Sequence, residues 1–407
     1  MATNQQEHIL SGYKVLDFTQ HIAGPTATRL LVEMGAEVIK VELAPDGEPS
    51  RRAPYMKGRS GTFIQQNRGK KSLCVDVRKP EGLTVLKSLL PKIDVLVENF
   101  APGAIARLGL DYETVKAINP KLVMCSISAF GQQGPLKSKP GYDFIGAAYA
   151  GFLDMNGDPN GSPCFPGMAI GDASTGVHAV AAIACALLYR ERIGKGQYLD
   201  ISLVDSYFHY HETSVQAYSL SGGAYQPRRV GSHYPLYAPV GMFKGKSHYL
   251  VIMAPTDHQF TAVCRAMSKP ELASDPRFAT NAERSENRAA LINIIEEWIA
   301  STPSDEEAMR LLEEQRVPVA PVLSVVEAMN HPHLRERQTV RTVTDRVAGE
   351  LQIPGFPLRF SEFPQMLELE AAFLGEHNQE ILQHYLGYSE ERVRELESQG
   401  VLRREDF

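Results

Sequence analysis

KVLDFTQHIAGPTATRLLVEMGAEVIKVE, residues 14–42, holds the pattern that decides the fold. Lys14–Phe18 is a short, mostly apolar run of strand character. Pro25–Met34 reads as a helix with Leu30, Leu31 and Met34 along one side, and Glu37–Glu42 as a second strand. The same alternation continues outward. Ser72–Val77 reads as a strand and Pro80–Leu90 as a helix with Pro80 in its first turn, where a missing N–H costs nothing. Asp94–Glu98 and Leu122–Ser128 are two further strands. Strands separated by helices predict an α/β fold with a parallel sheet covered by helices. Such sheets hold their ligands beyond the carboxyl ends of the strands. The turn Gln20–Pro25 follows the first strand, and Asn99-Phe100 follows Glu98 at the end of a later one. Taken alone, the Gly24-Pro25 turn is equally well read as a tight connection.

A long helix is expected from Asp172, since Val177, Val180, Ala181, Ala184, Leu187 and Leu188 recur at helical spacing. Tyr198–Leu203 is strand-like. Ser219–Pro239 is rich in Gly, Ser, Tyr and Pro and reads as a linker at a domain boundary. From about Met242 to Glu327 a smaller unit is predicted. It has a strand at His248–Met253, helices at Asp257–Met267, Arg288–Ala300 and Asp305–Glu314, and strand character at Pro318–Leu323. The tail from Gly375 is polar and helical.

The chain has 407 residues, enough for two or three domains. With 43% hydrophobic and 22% charged residues it is neither disordered nor fibrous. A net charge of −6, from 42 basic against 48 acidic residues, argues against nucleic acid as the main partner and leaves room for local cationic sites. The five cysteines, Cys74, Cys125, Cys164, Cys185 and Cys264, are odd in number and widely spaced, as expected of reduced thiols. The polar start MATNQQEHILSG lacks signal-peptide character. The most apolar stretch, Val177–Leu188, is short for a bilayer span. A cytoplasmic protein with no membrane partner is the expectation.

Several site signatures are absent. There is no GxxxxGK[ST] loop, no GxGxxG after the first strand, no HExxH, no paired CxxC and no GxSxG. His209 and His211 fall in a helix-like segment, where residues two apart do not face each other, so no metal site is predicted.

Six segments, LSGYKVLDFTQHIAGP, LVEMGAEVIKVE, NRGKKSLCVDVRKPEG, VLVENFAPGAIARLGL, AIGDASTG and GKGQYLDISLVD, resemble the class III CoA-transferases in order and spacing. This is the group of formyl-CoA:oxalate and crotonobetainyl-CoA:carnitine CoA-transferases. The closing GEHNQEIL and LGYSEERVRELESQGV fit as well. The resemblance implies that Asp172, in Gly171-Asp-Ala-Ser-Thr-Gly176, is a nucleophile that carries CoA as an aspartyl thioester. Without it, an aspartate at a helix start is read as an N-cap. By the same resemblance Ile22 and Ala23 line the pantetheine path. Val75, Asp76, Val77, Arg78, Asn99 and Phe100 lie near the nucleotide, Arg107 and Lys139 meet phosphates, and Tyr142 belongs to the CoA-binding site. Coenzyme A then enters as substrate, with no permanently bound cofactor.

Two departures bear on specificity. The formyl-CoA enzymes have Gln where Ile22 stands, and their glycine-rich shielding loop has no counterpart beyond the Gly231–Pro235 region. Oxalate is therefore disfavoured as acceptor. A rival from the same fold, the α-methylacyl-CoA racemases, uses a histidine where this chain has Tyr142 in Gly141-Tyr142-Asp143. A tyrosine with a pKa of about 10 is a poor base at neutral pH. A subunit of a heteromeric transferase, acting with a sister chain, is the second rival. The expected architecture is a large Rossmann-like CoA-binding domain (residues 1–218 and 335–407), a small inserted α/β domain (242–327) and linkers (219–241 and 328–334), in an interlocked homodimer. The expected reaction is CoA transfer from an acyl-CoA, succinyl-CoA on family grounds, to a free carboxylic acid. Tyr225, His233, Tyr234 and Tyr237 stand where the acyl pocket would close, or pack at the domain boundary.

Overall fold

The computed structural model describes residues 7–52 and 54–405; the opening MATNQQ lies outside the described residues. The chain divides into two compact units, one of Met1–Phe152, Pro166–Ser214 and Glu336–Phe407, the other of Leu153–Phe165 and Val215–Arg335.

The larger unit is built on six parallel strands, β1 (Lys14–Asp17), β2 (Glu37–Leu43), β3 (Lys71–Val75), β4 (Val95–Glu98), β5 (Val123–Ser128) and β6 (Tyr198–Ser202). Their spatial order is β3-β2-β1-β4-β5-β6, and every neighbouring pair is parallel. Alternation along each strand divides the core. Leu16, Ile39, Leu73, Leu96 and Met124 face one side, with α3 (Pro80–Leu89), α11 (Asn378–Leu386) and α12 (Glu390–Ser398). Val15, Val38, Val95, Val123 and Cys125 face the other, with α1 (Ala23–Glu33) and α6 (Ile170–Ile193). One residue of slip in any strand would exchange the two sets, which fixes the register.

The remaining helices used below are α2 (Gly61–Asn67), α4 (Tyr112–Ile118), α5 (Asp143–Tyr149) and α7 (Leu203–Phe208). Helix α6 starts two residues before Asp172 and runs for 24 residues, twice the apolar run visible in the sequence. By length and a mean hydropathy of 1.4 alone it would be long enough to cross a membrane. Here it packs on α1, β5 and β6. His209 and His211 do not lie in a helix: α7 stops at Phe208, and both fall in the turn beyond it. His211 Nε2 meets the Ala150 carbonyl at 2.7 Å, while the His209 ring stands edge-on to His178.

The smaller unit has a three-stranded antiparallel sheet of β7 (Val240–Lys244), β8 (Tyr249–Met253) and β9 (Val319–Pro321), packed by α8 (Asp257–Ala266), α9 (Arg288–Ser301) and α10 (Asp305–Glu314). Its aromatics pack locally. Tyr234 stacks on Tyr237, and the His233 ring meets Phe243 edge-on. A hairpin, β10 (Val340–Asp345) and β11 (Gly349–Pro354), belongs to the larger unit.

Candidate active site

In this strand order the chain leaves β1 and β4 toward opposite sides, so their carboxyl ends flank the crevice where ligands of such sheets bind. The turns that follow these two strands are tied together there. Asn99 Oδ1 accepts the Gln20 N–H at 2.7 Å, and Asn99 Nδ2 donates to the Gln20 carbonyl at 2.8 Å. Between the strand ends lies a cleft of about 380 Å³. Gln20, His21, Asn99, Phe100, Lys139 and Tyr142 are among the residues that line it. Four expected site residues, Asn99, Phe100, Lys139 and Tyr142, thus share one cavity. Ile22 and Ala23 follow directly at the start of α1, which has no side-chain cap. Lys139 reaches the Tyr149 hydroxyl, with its ammonium 4.8 Å from that ring's centre. Tyr142 is 73% exposed, and its ring stands edge-on to His21 at 6.2 Å.

The other expected residues stand apart from the cleft. Val75 is fully buried in the core. Asp76 and Arg78 at the end of β3 form a two-pronged ion pair at 2.8 Å, with the Arg78 side chain mostly exposed, and Val77 is half-buried. Arg107 ends the short helix Ala104–Arg107 and is exposed.

Asp172 is the third residue of α6 and is partly buried. Ala169, the cap position, offers no side-chain bond, and Asp143 supplies one from α5. Asp143 Oδ1 accepts the Asp172 N–H at 2.8 Å, and its Oδ2 accepts the Tyr207 hydroxyl at 2.9 Å. The glycine before Asp172 makes this possible: a Cβ on Gly171 would lie 2.1 Å from the Tyr207 ring and 2.4 Å from Asp143 Oδ1. Gly176 serves the next turn, where a Cβ would come within 2.7 Å of the Ala23 carbonyl. The two glycines of GDASTG therefore seat α6 against Tyr207 and α1. The Asp172 N–H is thus held from α5 rather than by a cap of its own helix. Burial, and then the charge of Asp143, push its pKa up to about 7. Asp172 does not line the cleft itself, but Tyr142, which does, immediately precedes Asp143.

Two more carboxylates shape the cleft without facing it. Glu98 ends β4 and accepts the Phe100 N–H at 2.8 Å; burial pushes its pKa up to about 7. Asp17 ends β1. Burial would raise it, but Lys40 and Lys70, with the Thr19 and Thr28 hydroxyls, outweigh that and hold it at about 2. Sequence reading singled out Asp172, Asn99, Phe100 and Lys139 but passed over Gln20, His21, Asp143 and Tyr207 as site residues. Asp143 stood in view within Gly141-Tyr142-Asp143, but nothing local pairs it with a residue 29 positions on. Among the described residues no group of three or more His, Cys, Asp or Glu is arranged to hold a metal ion.

The arrangement sets a partly buried carboxylate in the first turn of a long helix and a cleft at the strand ends. The chain matches the family described as CoA-transferase family III over residues 10–378. It is 35% identical over 395 residues to the succinyl-CoA:glutarate CoA-transferase of Mus musculus, covering 97% of this chain and 90% of that protein. It is 34% identical over 406 residues to the succinyl-CoA–D-citramalate CoA-transferase of Chloroflexus aurantiacus, covering 99% and 100%. Among solved structures, a CAIB/BAIF family protein from Brucella suis superposes with a TM-score of 0.82 at 34% identity, covering 93% of this chain and all of that one. On this agreement of sequence and fold, the chain belongs to CoA-transferase family III and is an enzyme that transfers coenzyme A.

Proposed function

We propose that the protein moves CoA from succinyl-CoA to a free dicarboxylic acid of the glutarate or citramalate kind, with Asp172 as the nucleophile. The observation that carries this is the setting of Asp172: a partly buried carboxyl in the first turn of α6, whose backbone N–H is held by Asp143, itself bonded to Tyr207. The Asp172 carboxylate attacks the donor thioester carbonyl, and CoA thiolate leaves from a mixed anhydride. The thiolate attacks the aspartyl carbonyl and releases succinate, leaving an aspartyl-CoA thioester. The acceptor carboxylate attacks that thioester and expels the thiolate, which then attacks the acceptor's acyl carbon. Acceptor-CoA and the free Asp172 carboxylate result. Thioester energy is conserved throughout, so coenzyme A travels as substrate. Lys139 and Arg107 supply cationic contacts for the phosphates, and Asn99 and Phe100 the wall of the groove.

The names of the relatives support a succinyl donor and a dicarboxylate acceptor. The exposed apolar face of α6 supports a dimer. Val177 and Leu188 are more than half exposed on one face of this long helix of the larger unit, with Ala181, Ala184 and Cys185 exposed between them, which suits burial against a second copy.

The test is intact-protein mass spectrometry after incubation with succinyl-CoA, followed by hydroxylamine trapping and peptide mapping. A CoA adduct or hydroxamate on Asp172, absent in Asp172→Ala, is the expected result. Turnover retained by Asp172→Ala would remove the assignment.

A further inference from the structure

We propose that Glu48 is a positioning residue that locks the turn Thr19–Ile22 in the conformation the cleft requires. The proposal rests on reading that cleft as the acyl-CoA site. His21 lines the cleft with a backbone φ of 65°, a left-handed conformation that a non-glycine residue rarely adopts. Such a conformation persists only where the surroundings over-determine it. Here they do. Glu48 Oε1 accepts the His21 N–H at 3.0 Å. Lys40 Nζ donates to the Thr19 carbonyl at 2.7 Å. Asn99 holds both polar groups of the Gln20 backbone. Three consecutive residues are thus gripped by three side chains from outside the turn.

Glu48 and Lys40 act as one unit. Their side chains face each other at 3.6 Å, each only 1% exposed. Glu48 is itself fixed on both oxygens, taking the Ser50 N–H at 3.1 Å on Oε1 and the Asn67 amide at 2.9 Å on Oε2. Lys40 lies in β2, so the pair anchors the turn after β1 to the neighbouring strand. A buried pair that served stability alone would not need its two ends on the carbonyl and the amide that bracket Gln20. Glu48 does not line the cleft, yet the orientation of two residues that do, Gln20 and His21, depends on it.

The test compares variants by calorimetric CoA affinity, donor kinetics and amide exchange at His21. Glu48→Gln and Glu48→Ala both remove the charge facing Lys40, but only alanine removes the acceptor for the His21 N–H. Glu48→Ala is expected to weaken CoA binding at least tenfold, with a matching rise in KM larger than the fall in kcat, and to speed exchange at His21. Glu48→Gln is expected to change affinity less than threefold. Glycine adopts positive φ without penalty, so in a His21→Gly background the further cost of Glu48→Ala should shrink below threefold. Equal losses in Glu48→Gln and Glu48→Ala, or an undiminished loss in the His21→Gly background, would overturn the lock in favour of a structural ion pair. If Glu48→Ala fails to fold, the double variant Lys40→Met with Glu48→Met removes both buried charges at once, and the same tenfold loss is expected. Exchange at His21 reads the lock without CoA. Unchanged exchange in Glu48→Ala overturns the proposal whatever CoA does. Faster exchange in Glu48→Ala beside a wild-type protein that binds no CoA would count against the acyl-CoA reading of the cleft and leave the lock standing.

Discussion

The Asp143 carboxyl accepts the Asp172 backbone N–H, and its charge acts on the Asp172 carboxyl, with consequences for both activity and stability. In the proposed mechanism, attack on the thioester needs the Asp172 carboxylate. With its pKa pushed up to about 7, kcat/KM for the donor acyl-CoA should fall as pH drops through 7. Asp143→Asn keeps an oxygen for the Asp172 N–H but removes the repelling charge, so its acidic limb should move to lower pH; a limb that stays in place would separate Asp143 from the titration. Stability runs the other way. Between the unfolded value of about 3.9 and the folded value near 7, the folded state keeps a proton that the unfolded state has lost. Stability is therefore lost as pH rises across that window, and the loss is complete above 7. Its ceiling is roughly 4 kcal/mol, and partial exposure of the carboxyl reduces that to about 2 kcal/mol. Asp172→Asn should accordingly raise Tm at pH 8 by a few degrees and lose the advantage near pH 4, as followed by calorimetry. An Asp172→Asn protein no more stable than wild type at pH 8 would show that the carboxyl carries no burial cost.

At the scale of elements, the start of α6 is set by contacts rather than by helix propensity. Gly171 admits the Tyr207 ring and Asp143, and both have to move if a Cβ is added. Overpacking of this kind costs about 1–3 kcal/mol. Gly171→Ala should lower stability by that amount and reduce transfer at least a hundredfold while CoA affinity stays within a few-fold, because the cleft lies on the Tyr142 side. Near-normal turnover would mean that the Asp143–Tyr207 support is dispensable. These contacts also explain what the sequence could convey. The six parallel strands were legible because their alternation is strong and their ends fall at turns, and Asp305–Glu314 was bounded correctly by its Ser304 cap and acidic first turn. The hairpin at Val340–Pro354 was not, since its threonines, arginine and glutamate give a weak apolar period. Leu153–Phe165 carries no local sign that it belongs to the smaller unit, which follows from Arg229 reaching Asp154 and the Asp158 carbonyl. Asn99, Phe100, Lys139 and Tyr142, singled out through their motifs, do line one cleft. Asp143 and Glu48, each bonded to a distant backbone N–H, and Tyr207, bonded to the Asp143 carboxyl, were passed over because no spacing announces such contacts.

For the whole molecule, α6 carries exposed apolar surface. Val177 at 53% and Leu188 at 61% exposure share one face of the helix, with Ala181, Ala184 and Cys185 exposed between them. An exposed apolar stripe of this kind is suited to an interaction site. The N-terminal turn of the same helix carries Asp172, the proposed nucleophile. A second copy of the chain is the occupant the family resemblance implies. Leu188→Asp discriminates: the side chain is exposed in the single chain, so the substitution should leave an isolated fold within about 0.5 kcal/mol. In a dimer it would bury a carboxylate opposite apolar groups. Light scattering should then show the wild type at twice the chain mass and Leu188→Asp shifted toward one, with transfer activity falling in parallel. A wild type at twice the chain mass that is unchanged by Leu188→Asp would move the interface to another face. A wild type at one chain mass would leave α6 to a different partner, such as a sister subunit, to be recognised by restored transfer on mixing.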